Sequence, residues 1–178
     1  GKLITTHTVQ YSIGRAGRYL LHVGLRNQNV ALPGSPFEIT VEPGAAHAVS
    51  TRLPADKLPL KGTVGEQGSV RIVTCDRMGN LCIVGGAPVR VDAKTSILQT
   101  STVDNGDGSY DLQWHGEVSG KYDLHVTIDG INVTGSPTEL TLLPAKTEVP
   151  KCEVGGGGLS KAVAGDPVVV SVRCKDRF

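Results

Sequence analysis

Apolar and polar residues alternate in short stretches along this chain, and glycine, proline or asparagine separates the stretches. A period of two residues is typical of β-strands, because successive side chains of a strand point to opposite faces. The alternation is clearest over 120–128, where Tyr122, Leu124, Val126 and Ile128 share one face. The pattern predicts strands at 48–51, 69–75, 88–94, 97–103, 109–114, 120–128 and 139–143. Seven short strands within about 100 residues favour an all-β, immunoglobulin-like β-sandwich.

The sequence repeats itself with a period of about 100 residues. Three pairs of segments carry the repeat: 17–23 with 120–126, 34–36 with 135–137, and 64–66 with 164–166. A period of this length is that of a whole small domain rather than of a solenoid unit. We therefore expect tandem repeats, with 1–42 as the C-terminal part of one repeat, 43–144 as a complete repeat, and 145–178 as the N-terminal part of the next.

The two end segments need neighbours if this division holds. A hairpin alone is marginally stable in water, because it cannot bury an apolar face. We therefore expect the chain to be a section of a longer array. The alternative is that the two end segments complete one another, which requires strands from both ends of the chain to meet.

Composition narrows the class of protein. The 22 Val, 8 Ile and 15 Thr are β-branched and favour strands. Aromatic residues make up only 4%, so aliphatic side chains must fill most of the core, with Trp114 and Tyr122 as the large exceptions. Tyr122 and its counterpart Tyr19 begin a strand where sandwiches often place a tyrosine whose hydroxyl bonds nearby backbone. A net charge of +1 argues against a nucleic-acid partner, and no apolar stretch is long enough to predict a membrane span.

No motif indicates a catalytic residue, a metal site or a cofactor, so we do not expect an enzyme. The acidic stretch 104–110 (DNGDGSY) lacks the ligand spacing of a calcium loop and predicts a tight turn instead. The glycine run at 155–158 lacks the spacing of a phosphate-binding loop and predicts a connector. The five histidines form no constellation with a nucleophile.

Two features depend on the cellular compartment. The cysteines, at positions 75, 82, 152 and 174, lack zinc-site spacing, and free thiols in a reducing compartment are the favoured interpretation. A bridge between Cys75 and Cys82 in an oxidising compartment is the alternative. The triplet at 132–134 has the form of a glycosylation site, which matters only if the protein is secreted.

Taken together, these motifs resemble a filamin-type (filamin/ABP280) immunoglobulin-like repeat. The resemblance lies in the segments 64–66, 104–110, 120–126 and 135–137 of the complete unit, and in 34–37 and 157–159 of the outer units. It covers nearly the whole chain. The stretch 76–80 (DRMGN) with the Gly-Gly at 85–86 departs from the vertebrate actin cross-linkers and is closer to divergent filamin-like repeats.

The resemblance implies a scaffold that docks partners by adding a peptide strand beside the third strand, toward the fourth. Carried over by position, the predicted groove consists of Pro88, Val89, Arg90, Val91, Asp92, Leu98, Thr100 and Thr102. The alternative is a plain edge strand that Arg90 and Lys94 protect against aggregation.

The expected function is therefore a non-enzymatic spacer and protein-docking segment of a longer filamin-repeat protein. We expect peptide segments of other proteins, and cytoskeletal filaments, as partners, and a cytoplasmic location at the cytoskeleton or a cilium. One alternative is an extracellular adhesion protein, which a glycan on Asn132 or a Cys75–Cys82 bridge would indicate. The other is an enzyme that carries these units as accessory modules.

Overall fold

The computed structural model describes residues 6–25 and 30–178, and these contain strands and three short 3₁₀ turns but no α-helix. Eight strands build the middle of the chain. They are β5 (Leu60–Thr63), β6 (Gly68–Val73), β7 (Val89–Asp92), β8 (Leu98–Asp104), β9 (Ser109–Gly116), β10 (Gly120–Ile128), β11 (Ile131–Asn132) and β12 (Thr138–Leu143). No described helix is long and apolar enough to cross a membrane.

The eight strands form the two layers of a β-sandwich. One sheet has the order β11-β10-β12-β5, with β7 also paired to β10, and the other has the order β6-β9-β8. All pairs are antiparallel except β12 with β5, which is parallel. The all-β, immunoglobulin-like fold predicted from the alternation is therefore confirmed.

The core between the two sheets is mainly aliphatic, as the composition predicts. Its largest side chains come from the inward faces of β9, β10 and β12 and include Tyr110, Leu112, Trp114, Leu124, Val126, Ile128, Leu140 and Leu142. Each fully buried aliphatic side chain stabilises the fold by about 1.5–3 kcal/mol. The period-two faces predicted for 109–114 and 120–128 are the buried faces in the structure.

The first predicted strand, 48–51, is wrong, because this segment forms a turn. Both the amide and the hydroxyl of Thr51 donate to the carbonyl of His47, at 3.0 Å each, and these local bonds replace a strand ladder. The first strand of the sandwich is instead β5, which the alternation misses because Gly62 interrupts its short apolar pattern. The other predicted strands agree with the structure apart from shifts at their ends.

The end segments contain smaller sheets that pair within themselves. The first segment has β1 (Gly17–Leu21) paired with β4 (Phe37–Val41), and β2 (Gly24–Leu25) paired with β3 (Val30–Ala31). The last segment has β13 (Glu153–Gly155) paired with β14 (Ser171–Arg173). Within the described residues, strands from the two ends do not pair with each other.

Matching residues of the sequence repeat make the same kinds of hydrogen bond. The Tyr122 hydroxyl donates to the Val118 carbonyl at 2.7 Å, which confirms the expected tyrosine contact, and Tyr19 donates to Arg15 with the same length. The carboxylates of the matching residues Asp76 and Asp176 accept from the main-chain amides of Gly44 and Ala145, at 2.9 Å each.

Candidate functional site

Strand β7 is an edge strand of the sandwich. It pairs with β10 and with no other strand among the described residues, so its second side is open. Val89 and Val91 point into the core and are 7% and 8% exposed, whereas Arg90 and Asp92 lie on the outer face. This is the orientation that the alternation predicts for the third strand.

The pairing fixes which main-chain groups of β7 face the open side. Opposite Val91 lies Val126, whose N–H donates to the Ser136 hydroxyl and whose carbonyl accepts from Val133. Because both groups of Val126 are directed away from β7, the Val91–Val126 pair is of the type without mutual hydrogen bonds. The N–H and carbonyl of Val91 therefore point outward from the sheet, where an added strand would meet them.

Strand β8 already contacts this edge through one side chain. The Thr100 hydroxyl donates to the Val91 carbonyl at 3.0 Å. An incoming strand that uses this carbonyl must share or displace that hydroxyl.

A groove of about 690 Å³ runs along β7 and β8. It brings together six of the predicted residues, Val89, Arg90, Val91, Asp92, Thr100 and Thr102. Lys94, the last residue of the predicted strand 88–94, also lines the groove. The alternation did not reveal its other walls, which are Ser101, His125, Thr127, Gly130 and Asn132. His125 and Thr127 are on the outer face of the neighbouring β10, so only the strand pairing places them here.

Two predicted residues lie outside this groove. Leu98 is 4% exposed and belongs to the core, because it takes the inward position of β8. Pro88 lines a separate cavity of about 410 Å³, beside the loop that contains Cys82. Leu98 therefore presents almost no surface to a partner.

The other features singled out in the sequence have structural positions as well. In the acidic stretch 104–110, Gly106 and Gly108 have positive φ angles of 80° and 83°, as the predicted turn requires. Hydrogen bonds from main-chain amides lower the pKa of Asp104, and bonds from Ser109 lower that of Asp107. Cys75 and Cys82 are both free thiols. The described part of the chain holds no cluster of three or more potential metal ligands.

Comparison with known proteins places this sandwich in a family. The model of the Filamin/ABP280 repeat family matches residues 45–139, which is more than half of the chain. The fold defines an immunoglobulin-like sandwich, and the chain belongs to the Filamin/ABP280 repeat family. The resemblance inferred from the motifs is thereby confirmed. This family comprises structural and interaction repeats rather than catalytic domains.

Individual relatives agree with this assignment. Rattus norvegicus Filamin-C is 28% identical over 180 residues, which is 96% of this chain and 6% of that protein. Drosophila melanogaster Filamin-A is 27% identical over 157 residues, 88% of this chain and 7% of that protein. The chain thus spans a small share of these relatives. The Escherichia coli adhesin FdeC has a similar fold, with a TM-score of 0.56 at 17% identity over 83% of this chain and 47% of that chain.

Proposed function

We propose that this chain is a non-enzymatic spacer and docking segment of a longer filamin-repeat protein, and that it binds partner peptides by strand addition at β7. The outward N–H and carbonyl of Val91 carry the proposal, because they offer a donor and an acceptor at an open edge. Main-chain bonds of this kind give affinity, and side-chain pockets on alternate residues give selection.

The groove sets the chemistry of the added strand. Its walls combine threonine and serine hydroxyls with the side chains of Arg90, Asp92 and Lys94, so no wide apolar surface is available. A partner strand with small polar or β-branched side chains facing β8 fits this lining. Arg90 and Lys94 also discourage pairing with flat, uncharged edges and thereby protect against aggregation.

We propose the same division of the chain as the sequence repeat predicts, with a complete repeat at 43–144 between the partial repeats 1–42 and 145–178. The recurring tyrosine bonds, Tyr19 to Arg15 and Tyr122 to Val118, support it. A spacer role follows from tandem domains that each have their own core. From the family we further propose a cytoplasmic site at the cytoskeleton. Neither of the two filamins described above supports a cilium.

A displayed library of short random peptides, selected on the protein, supplies defined probes for this proposal. Thr100→Asp places a carboxylate beside the Val91 carbonyl and should weaken binding of groove peptides by tenfold or more, about the contribution of one good hydrogen bond. Thr100→Val is the matched control, because it removes the competing hydroxyl at equal volume and should preserve or strengthen binding. The β7 groove is rejected if none of the selected peptides loses affinity in Thr100→Asp.

The likeness to FdeC favours one second candidate, an extracellular adhesion segment. Asn132 is exposed on β11, where a glycan is sterically tolerated. Peptide mass measurement at residue 132 and at Cys75 and Cys82, on protein isolated from its native source, separates the candidates. A glycan together with a Cys75–Cys82 bridge in the native protein supports adhesion, whereas free thiols and an unmodified asparagine support the cytoplasmic scaffold.

A further inference from the structure

The loop at residues 76–80, beyond the end of β6, is built around a buried carboxylate. Asp76 is 4% exposed. Its side chain accepts four hydrogen bonds, from the main-chain amides of Gly44, Met78 and Asn80 and from the Asn80 side chain, at 2.8–2.9 Å. Because these donors occupy both carboxylate oxygens, the loop has a fixed shape and a fixed position against Gly44.

The Asn80 side chain also reaches the first segment of the chain. Its amide nitrogen donates to the Gly14 carbonyl, and its amide oxygen accepts from the Ala16 N–H, at 2.9 Å each. The same nitrogen donates to the Asp76 carboxylate at 2.9 Å. The orientation of the amide is unambiguous, because the Ala16 N–H can only donate and the ionised Asp76 carboxylate can only accept. One side chain therefore joins the loop to main chain that lies 64 and 66 residues earlier.

Met78 adds an apolar contact with the same segment. A Cβ built on Gly14 would lie 2.9 Å from the terminal methyl carbon of Met78, so this methyl group rests on the glycine. The rest of the methionine is largely open to solvent, since the residue is 68% exposed. The loop therefore meets the first segment through two kinds of interaction, a pair of hydrogen bonds and an apolar contact.

The same arrangement occurs again after the central sandwich. Asp176 matches Asp76 in the sequence repeat, and its carboxylate accepts from the Ala145 amide at 2.9 Å, as that of Asp76 does from Gly44. It also accepts from the N–H of the residue two positions later, Phe178, at 3.1 Å. The aspartate thus organises the corresponding loop of the following unit in the same way.

Phe178 takes the place of Met78 in this second loop and contacts the central sandwich. A Cβ built on Gly65 would overlap the Phe178 ring, so the ring lies directly against this glycine. The Gly65 N–H donates to the Gly116 carbonyl at 2.8 Å. The position after Gly116 is the one that corresponds to Gly14 when the repeats are aligned. Both apolar side chains therefore contact the same end of the unit that precedes them.

We infer that the 76–80 loop is a docking surface for the preceding repeat and that it fixes the orientation between the two repeats. The inference rests on the proposed division of the chain into repeats. Small interfaces between domains usually permit relative motion. Here, however, the loop holds main-chain atoms of Gly14, Ala16 and Gly44, and a rotation between the repeats would break these directional bonds. The spacer is stiff at this joint and sets a defined distance between its ends.

A distance measurement between two spin labels in the full-length protein tests the inference. One label replaces Arg18 on β1 and the other replaces Gln99 on β8, because both residues are exposed and lie outside the joint. The labels are attached to unnatural amino acids, since the chain has four free cysteines. We expect a narrow distance distribution in the otherwise unaltered protein. Asn80→Ala removes both bonds to the first segment and should broaden the distribution about twofold.

Variants in the same loop serve as matched controls. Met78→Phe copies the residue of the second joint, and Arg77→Ala shortens an exposed neighbouring side chain, so both should leave the width of the distribution unchanged. In Asn80→Ala the Asp76 carboxylate keeps its three main-chain donors, and the Trp114 unfolding midpoint checks that the sandwich is intact. Met78→Asp, at an exposed position, is the second disruptive variant if Asn80→Ala does not fold.

The inference is overturned if the distribution in the unaltered protein is as broad as in Asn80→Ala, or if neither Asn80→Ala nor Met78→Asp broadens it. No peptide takes part in this measurement, so its result is separate from that of the β7 binding test. Groove peptides should bind Asn80→Ala with unchanged affinity, because the joint and the β7 groove share no residue.

Discussion

The Tyr122 hydroxyl, near the start of β10, gives a quantitative test of the fold. In Tyr122→Phe the sandwich loses the 2.7 Å bond to the Val118 carbonyl and nothing else. That bond is near the surface, so water can replace the hydroxyl at the carbonyl and the loss should stay close to the usual net value of about 1 kcal/mol. For a domain of this size, about 1 kcal/mol lowers the melting temperature by roughly 4–8 °C.

Urea unfolding followed by tryptophan fluorescence measures this loss, because Trp114 is the only tryptophan and lies in the core of the central sandwich. Tyr19→Phe is the matched control. It removes the equivalent bond, Tyr19 to Arg15, from the first segment and should leave the Trp114 transition unchanged. An unaltered midpoint in Tyr122→Phe would refute the argument that this hydroxyl stabilises the sandwich.

Two further predictions concern the core and the Asp76 carboxylate. Leu124 is fully buried, so Leu124→Ala should cost about 2–5 kcal/mol in urea unfolding, and a loss below 1 kcal/mol would show that the core is not packed as described. Bonds from the Asn80 side chain and main-chain amides lower the pKa of Asp76 from 3.8 to about 2. Because the folded-state pKa is depressed, this stabilisation is complete above pH 3.8 and is lost as pH falls through about 2. Asp76→Asn should flatten that part of the acid-unfolding curve, and an unchanged curve would contradict the role of Asp76.

Strand positions were predictable where one face of a strand is buried throughout. The alternation over 120–128 is regular because Leu124, Val126 and Ile128 all meet the core. The alternation failed at 48–51. There, local hydrogen bonds to the His47 carbonyl form in place of a strand ladder, and Val49 remains 62% exposed. β5 was missed because Gly62 interrupts its alternation, whereas the equally short β7 was recognised from Val89 and Val91.

The candidate site was only partly predictable, because a groove is made of residues that are distant in sequence. The residues of β7 could be predicted from the alternation within that strand. His125 lines the groove only because β7 pairs with β10, which the alternation does not reveal. Leu98 was carried over from the family resemblance, and it lies on the same face of β8 as Thr100 and Thr102 but is fully buried.

The central claim, that β7 accepts an added strand, is tested most directly by amide hydrogen exchange at Val91. The Val91 N–H points to the open side of β7, so in the free protein it should exchange faster than the core amides of β10. A saturating groove peptide should slow this exchange by tenfold or more. The Val126 N–H points away from β7 and already donates to the Ser136 hydroxyl, so its exchange rate should change little. Binding that leaves the Val91 exchange rate unchanged would contradict strand addition at this edge.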